Sequence, residues 1–333
     1  ANRVELLLGA PAEAIDPGRR TVRLAGAELR YAELVLATGA TPVRPSMPGA
    51  ELDGVLLLRS LDDALALRDR LMPGARVAVV GASWIGAEVA ASARQRGAEV
   101  TLLGRGSVPL EHALGTEIGG FYGRVHADHG VTLRLGPDVA GIEGSDRATG
   151  VRLADGETVP ADVVVLGLGV RPSLGLAQAA GLAADDGVLA DARLTTGDIA
   201  SHDHPLFHGR VRVEHWGNAL NQGLAAGANA AGADRPYELL PYFFSDQYDV
   251  GMEYSGWPTP FDEVLVRGSL DNGEFVAFQL RDGVVVGGAN VNVWDVNEHV
   301  QDLVRAARPV RRDVLADPGV DPADWVRLAV EAD

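Results

Sequence analysis

Residues 76–103, RVAVVGASWIGAEVAASARQRGAEVTLL, restrict the fold more tightly than any other stretch of the chain. After its arginine, RVAVV is wholly apolar, the pattern of a strand buried on both faces of a parallel sheet. GASWIG follows, and AEVAASARQR then carries small and apolar residues at helical spacing until Gly97 stops it. EVTLL is a second apolar strand. Two parallel strands joined through a helix within about 30 residues make a βαβ unit. The expectation is therefore strand–turn–helix–strand, with Gly81 to Gly86 at the helix start.

That turn has the chemistry of a dinucleotide site. Gly81 permits the tight turn, and Gly86 lets the helix pack closely on the strand. The middle position, Ser83, is small enough for backbone to approach a pyrophosphate, which would sit where unpaired N–H groups and the helix dipole favour an anion. The alternative is an ordinary βα turn that happens to be glycine-rich. About 20 residues on, at the end of the second strand, such sites carry an acid for the ribose 2′-hydroxyl. Here Gly104 stands there, followed by Arg105. A missing acid beside an arginine suits a 2′-phosphate, so NADPH is expected to serve at least as well as NADH. Arg105 as a solvated loop residue is the alternative.

Composition narrows the function classes. The 333 residues are 47% apolar, ample for two or three domains. Net charge is −17, and all 29 basic residues are arginine. So acidic a chain repels nucleic acid and anionic membranes. It has no cysteine, which removes disulfides, thiolate metal sites and any enzyme that relays electrons through a dithiol. No apolar stretch approaches the roughly 20 residues that span a bilayer. The first residues, ANRVELLLGA, lack the basic segment of a signal peptide, so a cytoplasmic location is expected. Residues 3–8 read as a strand, and the chain is expected to begin inside a domain.

Elsewhere, 20–24 and 28–37 read as strands, the latter ending in the apolar LVLATG. Residues 60–72 read as a helix capped by Ser60. A helix over 116–129, a strand over 131–135, a hairpin in VRLADGETV and a buried strand in DVVVLGLG, 162–169, follow. HWGNALNQGLAAGANAAG, 215–232, reads as a helix of small residues that would pack against something flat. From Pro241 the pattern turns to alternating strands with glycine turns and a final helix over 295–308, an antiparallel α+β domain.

Taken in order, LVLATGATPVRP, VAVVGASWIGAEVAA, VVVLGLGVRP, GDIAS, VEHWGNALNQG and PYFFSDQYDV resemble the ferredoxin reductases of oxygenase systems. This is the putidaredoxin-reductase type, similar also to apoptosis-inducing factor. The resemblance covers nearly the whole chain. It implies an α/β fold with two Rossmann-like dinucleotide-binding domains, one for FAD (1–59 and 172–240) and one for NAD(P)H (60–171), and a C-terminal domain over 241–333. The chain starts after the family's first strand–GxGxxG–helix unit, so the FAD domain is expected to be incomplete. The strand-forming stretch that precedes the family's GD turn is also missing before Gly197-Asp198. The expected consequence is either a break wider than one Cα–Cα step of about 3.8 Å between Thr196 and Gly197, or a displaced Asp198 and a colourless protein.

Residue by residue, the resemblance places Thr38 and Gly39 in the turn near the FAD phosphates and Ala12 where backbone meets the adenine. Arg59 falls on an arginine associated with FAD, Asp198 on the acid that binds the ribityl chain, and Trp216 against the isoalloxazine. Gly81, Ser83, Gly86 and Glu88 match the nicotinamide-nucleotide loop and its following acid, and Gly169 a turn close to the nicotinamide. Independently, a tryptophan beside small residues can stack on a flat ring, though it could equally be a core residue. Asp198 could be a helix cap, and Arg59 a surface residue. The implied activity is electron transfer from NAD(P)H through FAD to a ferredoxin-type iron–sulfur protein, and the lack of cysteine agrees with direct delivery from the flavin. An NAD(P)H oxidase or monodehydroascorbate-type reductase on the same scaffold, or a non-catalytic nucleotide-binding remnant, are the rivals. His202, His204 and His208, with Asp203, have a spacing open to a metal, but the family carries a similar loop without one. His112, His126 and His129 flank a helix and are expected at the surface. The arginine-rich run 305–312 either steers an acidic ferredoxin or is a solvated helix end whose cations suit the dipole.

Overall fold

A computed structural model of the protein describes residues 4–191, 193, 196–207, 209–256 and 260–330. They divide into two compact units: Ala1–Thr41 with Arg171–Pro241, and Pro42–Val170 with Tyr242–Asp333.

The second unit is built on a five-stranded parallel sheet in the order Val55–Leu56, Val163–Leu166, Arg76–Val80, Glu99–Gly104, Thr132–Leu135. The central strand shows why its sequence is apolar throughout. Val77 and Val79 point into one core with Leu67, Val89, Ala90 and Val100. Ala78 and Val80 point into the other with Ile142, Val151, Leu153 and Val164. Alternate residues thus fill opposite faces, and neither face tolerates a polar side chain. The first face is covered by the helix Leu61–Arg70 and the loop helix Trp84–Gln95; the second by the antiparallel strands Val139–Gly144, Ala148–Leu153 and Thr158–Pro160. Ser60 and Asp63 close a reciprocal capping box on the helix that Ser60 was expected to start. The expected strand–turn–helix–strand over 76–103 forms, both strands in one sheet. The expected helix over 116–129 is the main part of Glu111–Asp128, which breaks at Gly115, φ 82°.

Residues 242–330 add a five-stranded antiparallel sheet in the order Tyr242–Gln247, Val250–Gly256, Val284–Val291, Glu274–Arg281, Glu263–Ser269. The helix Asn297–Ala306 buries Val300 and Leu303 against it. One face of this sheet shares its core with the nucleotide-loop side of the unit. Met252, Tyr254, Phe275 and Val291 pack with Ala87, Leu114, Ile118 and Tyr122 from the nucleotide-loop side of the same unit. At the far edge, Arg267 donates to the carbonyls of Leu315, Asp317, Pro318 and Val320 and lies 5.3 Å above the Trp325 ring.

The first unit holds a three-stranded antiparallel sheet, Ala12–Asp16, Thr21–Leu24 and Ala27–Arg30. It also holds a four-stranded one, Ala184–Asp185, Gly187–Ala190, Ala200–His204 and Gly209–Val211, and the helix Trp216–Ala230. The expected strands at 3–8 and in LVLA do not form. The described residues of the first segment, and Leu34 to Ala37, join no ladder, and Val4, Leu6 and Leu8 are 71, 72 and 86% exposed. An apolar run becomes a buried strand only when neighbouring strands pair with it, and no described residue does so here. Ala12–Asp16, by contrast, is a strand that its mixed composition concealed. Within the four-stranded sheet, Val188–Ala190 and Ala200–His202 pair parallel, the nine residues 191–199 lying between them. Thr196 leads that connection directly into the 3-10 turn Gly197–Ile199, Gly197 taking φ 75°, where a side chain would be strained. Residues 194 and 195, just before this junction, lie outside the described residues.

Candidate functional site

In the second unit the loop 81–86 sits at the carboxyl edge of the parallel sheet. Gly81 has φ 114°, and a Cβ there would stand 2.2 Å from the Gly167 carbonyl oxygen. A Cβ on Gly86 would stand 1.7 Å from the Gly81 carbonyl oxygen. Both glycines are therefore forced by backbone meeting backbone. Ser83 is exposed and serves as N-cap without a side-chain hydrogen bond to the helix, which leaves the first-turn N–H groups for a ligand. A cradle that any side chain would fill, opening on unpaired donors, fits the pyrophosphate of a dinucleotide. Gly169, φ 84°, lies beyond the neighbouring strand and accepts from Val43 N–H at 2.9 Å. Arg105 is exposed at the end of the second strand and makes no ion pair among the described residues. Gly104 beside it is tightly enclosed: a Cβ would lie 2.7 Å from that of Ala82. The missing acid thus has a steric cause as well as a chemical meaning.

Glu88, one turn into the loop helix, is half-buried and bound. Ser245 Oγ donates to its Oε1 at 2.6 Å. Burial raises its pKa, the Ser245 hydrogen bond works against that, and Asp246 raises it further. Arg59 is not free: its N–H donates to the Asp63 carboxylate, adding to the capping of the helix that follows, and it belongs to this unit.

In the first unit, Thr38 Oγ1 donates to Ser173 O at 3.1 Å, and Gly39, φ 64°, accepts from Ser173 N–H at 2.9 Å. Ala12 opens the first strand and is exposed. Asp198 is 8% exposed in the turn 197–199. That turn is held by Gly197 N–H, which donates to Gln222 Oε1 at 2.7 Å, while Gln222 Nε2 faces His202 Nδ1 at 3.4 Å. Asp198 lies close enough to His215 to oppose the effect of burial, which pulls the imidazole down to about 4. His215 caps the helix whose first residue is Trp216, 72% exposed. Gly223 and Gly227 further along this helix have open space where a Cβ would be. A buried acid beside an exposed tryptophan and a glycine-lined helix fits the ribityl and ring end of a flavin. Asp198 thus lies near His215, the residue that precedes Trp216.

The remaining candidates change character. His126, expected at the surface, is fully buried, because the C-terminal sheet covers that end of its helix. His202 and His204 are buried against Tyr237 and Phe207. His208 lies outside the described residues, and no cluster among the described residues could hold a metal ion. In the arginine run, Arg305 pairs with Asp302, Arg311 with Asp313 and Arg312 with Glu263, so its cations are matched locally. Ser245, Gln247 and His215 were not singled out in the sequence. Polar residues at alternate positions of the aromatic strand YFFSDQ were the available signal for the first two.

The parallel sheet with its glycine cradle, the second nucleotide-fitting surface and the C-terminal antiparallel domain together define a two-dinucleotide oxidoreductase. The chain belongs to the pyridine nucleotide-disulphide oxidoreductase family, whose model matches residues 1–223, and a reductase C-terminal domain matches residues 242–325. It is 38% identical to the ferredoxin–NAD(+) reductase component of the anthranilate 1,2-dioxygenase system of Burkholderia cepacia, over 96% of this chain and 81% of that one. Among solved structures, the ferredoxin reductase for the CYP199A2 system of Rhodopseudomonas palustris superposes with a TM-score of 0.90 at 33% identity, over 95% of this chain and 80% of the other. The covalent putidaredoxin reductase–putidaredoxin complex gives 0.90 at 32% identity, over 96% and 80%. No helix among the described residues is long and apolar enough to cross a membrane.

Proposed function

We propose that the protein is an FAD-dependent NAD(P)H:ferredoxin oxidoreductase that passes electrons to a small iron–sulfur protein, and that it works in the cytoplasm. One observation carries the reading: a nucleotide cradle forced by Gly81 and Gly86 in a chain with no cysteine. A disulphide reductase on this scaffold needs a thiol pair, whereas a ferredoxin reductase does not. The relatives named above are ferredoxin reductases, which supports the same acceptor class.

The proposed division of labour follows the sequence domains. Residues 60–171 take NAD(P)H through Gly81, Ser83, Gly86, Glu88, Arg105 and Gly169. Residues 1–59 and 172–240 take FAD through Ala12, Thr38, Gly39, Arg59, Asp198 and Trp216, and 241–333 form the third domain. When bound, FAD would take hydride from the nicotinamide and deliver single electrons to the acceptor. The chain supplies position and environment. The 81–86 backbone and the helix start hold the pyrophosphate, Asp198 offers a buried acceptor for hydroxyl groups, and Trp216 offers a flat apolar face. No side chain need act as acid or base.

The test is the purified chain's visible spectrum followed by NAD(P)H-dependent reduction of a plant-type or vertebrate-type [2Fe–2S] ferredoxin. Flavin absorbance that bleaches on adding NADPH or NADH, with ferredoxin reduced in turn, is the expected result. A colourless protein that takes up no added FAD, yet binds nucleotide, would replace this reading with that of a nucleotide-binding remnant.

A further inference from the structure

We propose that Ser245, on the first strand of the C-terminal sheet, is a positioning residue for the nucleotide site: it fixes the Glu88 carboxylate through a one-way hydrogen-bond chain that runs back through Gln247 and His126 to Tyr248. The inference rests on the reading that loop 81–88 takes NAD(P)H.

The chain is continuous. Ser245 Oγ lies 2.6 Å from Glu88 Oε1, Gln247 Nε2 lies 3.2 Å from Ser245 Oγ, His126 Nε2 lies 3.0 Å from Gln247 Oε1, and Tyr248 OH lies 3.3 Å from His126 Nδ1. With Glu88 ionised, every direction is forced. A carboxylate only accepts, so the serine hydroxyl must donate to it. That hydroxyl oxygen accepts from the Gln247 amide N–H, which turns the amide oxygen toward His126. His126 Nε2 must therefore carry the proton, and its bare Nδ1 accepts from the tyrosine hydroxyl. Burial keeps this imidazole neutral by pulling it down to about 4, as the arrangement requires. Ser245, Gln247 and His126 are at most 2% exposed, so none has water as an alternative partner.

The chain also joins parts distant in sequence, Ser245 and Glu88 being 157 residues apart. It does so where the loop helix is already braced, with Trp84 edge-on to Phe243 at 4.7 Å. On its other side Glu88 lines an open groove of about 310 Å³ with Leu58, Leu67, Ile85, Ser92 and Arg96. The charged and titratable groups around it are Asp246 on the Ser245 strand, Tyr122 on the kinked helix, and Arg68 and Arg96 along the groove. Asp246 favours the protonated acid; among the described residues the serine hydroxyl is the hydrogen-bond donor to the ionised form. A residue of the C-terminal domain thereby governs the charge state of an acid in the nucleotide domain.

The test is the dissociation constant of NADH for the full chain, by titration calorimetry between about pH 5 and 9, a range that brackets a raised carboxylic acid. Wild type should show one midpoint that Glu88→Gln abolishes. Ser245→Ala should move that midpoint up by about one pH unit, the loss of one charge-assisted hydrogen bond, and Ser245→Thr should move it back. A midpoint unmoved in Ser245→Ala but absent in Glu88→Gln would overturn the inference and leave the nucleotide site standing. NADH affinity that Glu88→Gln leaves unchanged at every pH, or no NADH binding at all, would overturn the nucleotide reading and the inference with it. Should Ser245→Ala fail to fold, Tyr248→Phe, which cuts the chain at its half-exposed end, decides: a smaller upward shift supports the proposal and no shift refutes it.

Discussion

At the scale of single residues, the end of the second strand separates two explanations for nucleotide preference. Arg105 is exposed and carries no partner among the described residues, as a 2′-phosphate contact would need. Gly104→Glu cannot probe this, since the first carbon of any side chain already meets Ala82. Arg105→Gln is the cleaner change. Losing a charge-assisted contact to phosphate, it should weaken NADPH binding about tenfold and leave NADH binding within about twofold. Equal effects on the two nucleotides in direct binding titrations would mean that Arg105 is only a loop residue. Arg105 was legible from spacing alone, because the βαβ unit counts out its own positions. The enclosure of Gly104 was not, because it depends on how close the loop at Ala82 passes.

At the scale of elements, local signals read well and pairings read badly. The capping box at Ser60, the loop helix and the break of Glu111–Asp128 at a glycine follow from residues within a turn or two of one another. The segment LVLA failed as a strand because apolar character states that a strand would like neighbours, not that it has them. Glu88 was singled out by motif, yet nothing in the sequence paired it with Ser245, 157 residues away, because only the folded sheet brings the two together. The Arg267 staple belongs to the same blind spot. Its guanidinium gathers four carbonyls of 315–320 and stacks on Trp325. Arg267→Ala should cost about 1–3 kcal/mol and release amide-exchange protection in 315–320 first. Arg267→Lys should recover little, because one ammonium cannot reproduce the planar fork. Unchanged exchange in that segment would show that the loop holds itself.

At the scale of the whole molecule, buried imidazoles set a limit in acid. His126 in the second unit, and His202 and His215 in the first, are each held down to about 4 by burial. Unfolded histidine takes up its proton near pH 6.5. Between those values the unfolded chain binds protons that the folded chain refuses. Stability is therefore full above about pH 6.5, falls as the pH drops toward about 4, and gains no further loss from these groups below that. Each such histidine contributes a slope of up to about 1.4 kcal/mol per pH unit. Urea denaturation midpoints should fall steadily across this window in both units. A flat midpoint from about pH 7 to 4.5 would mean that the imidazoles reach water in the native state.

The shared core of the second unit also has a meaning in time. Residues 42–170 leave the ribosome well before residues 242–330, separated from them by the whole second segment of the first unit. Until residues 242–330 are synthesised, Ala87, Leu114, Ile118 and Tyr122 have none of Met252, Tyr254, Phe275 or Val291 to pack against. The nucleotide loop is thus drawn before the strands that finish its packing exist.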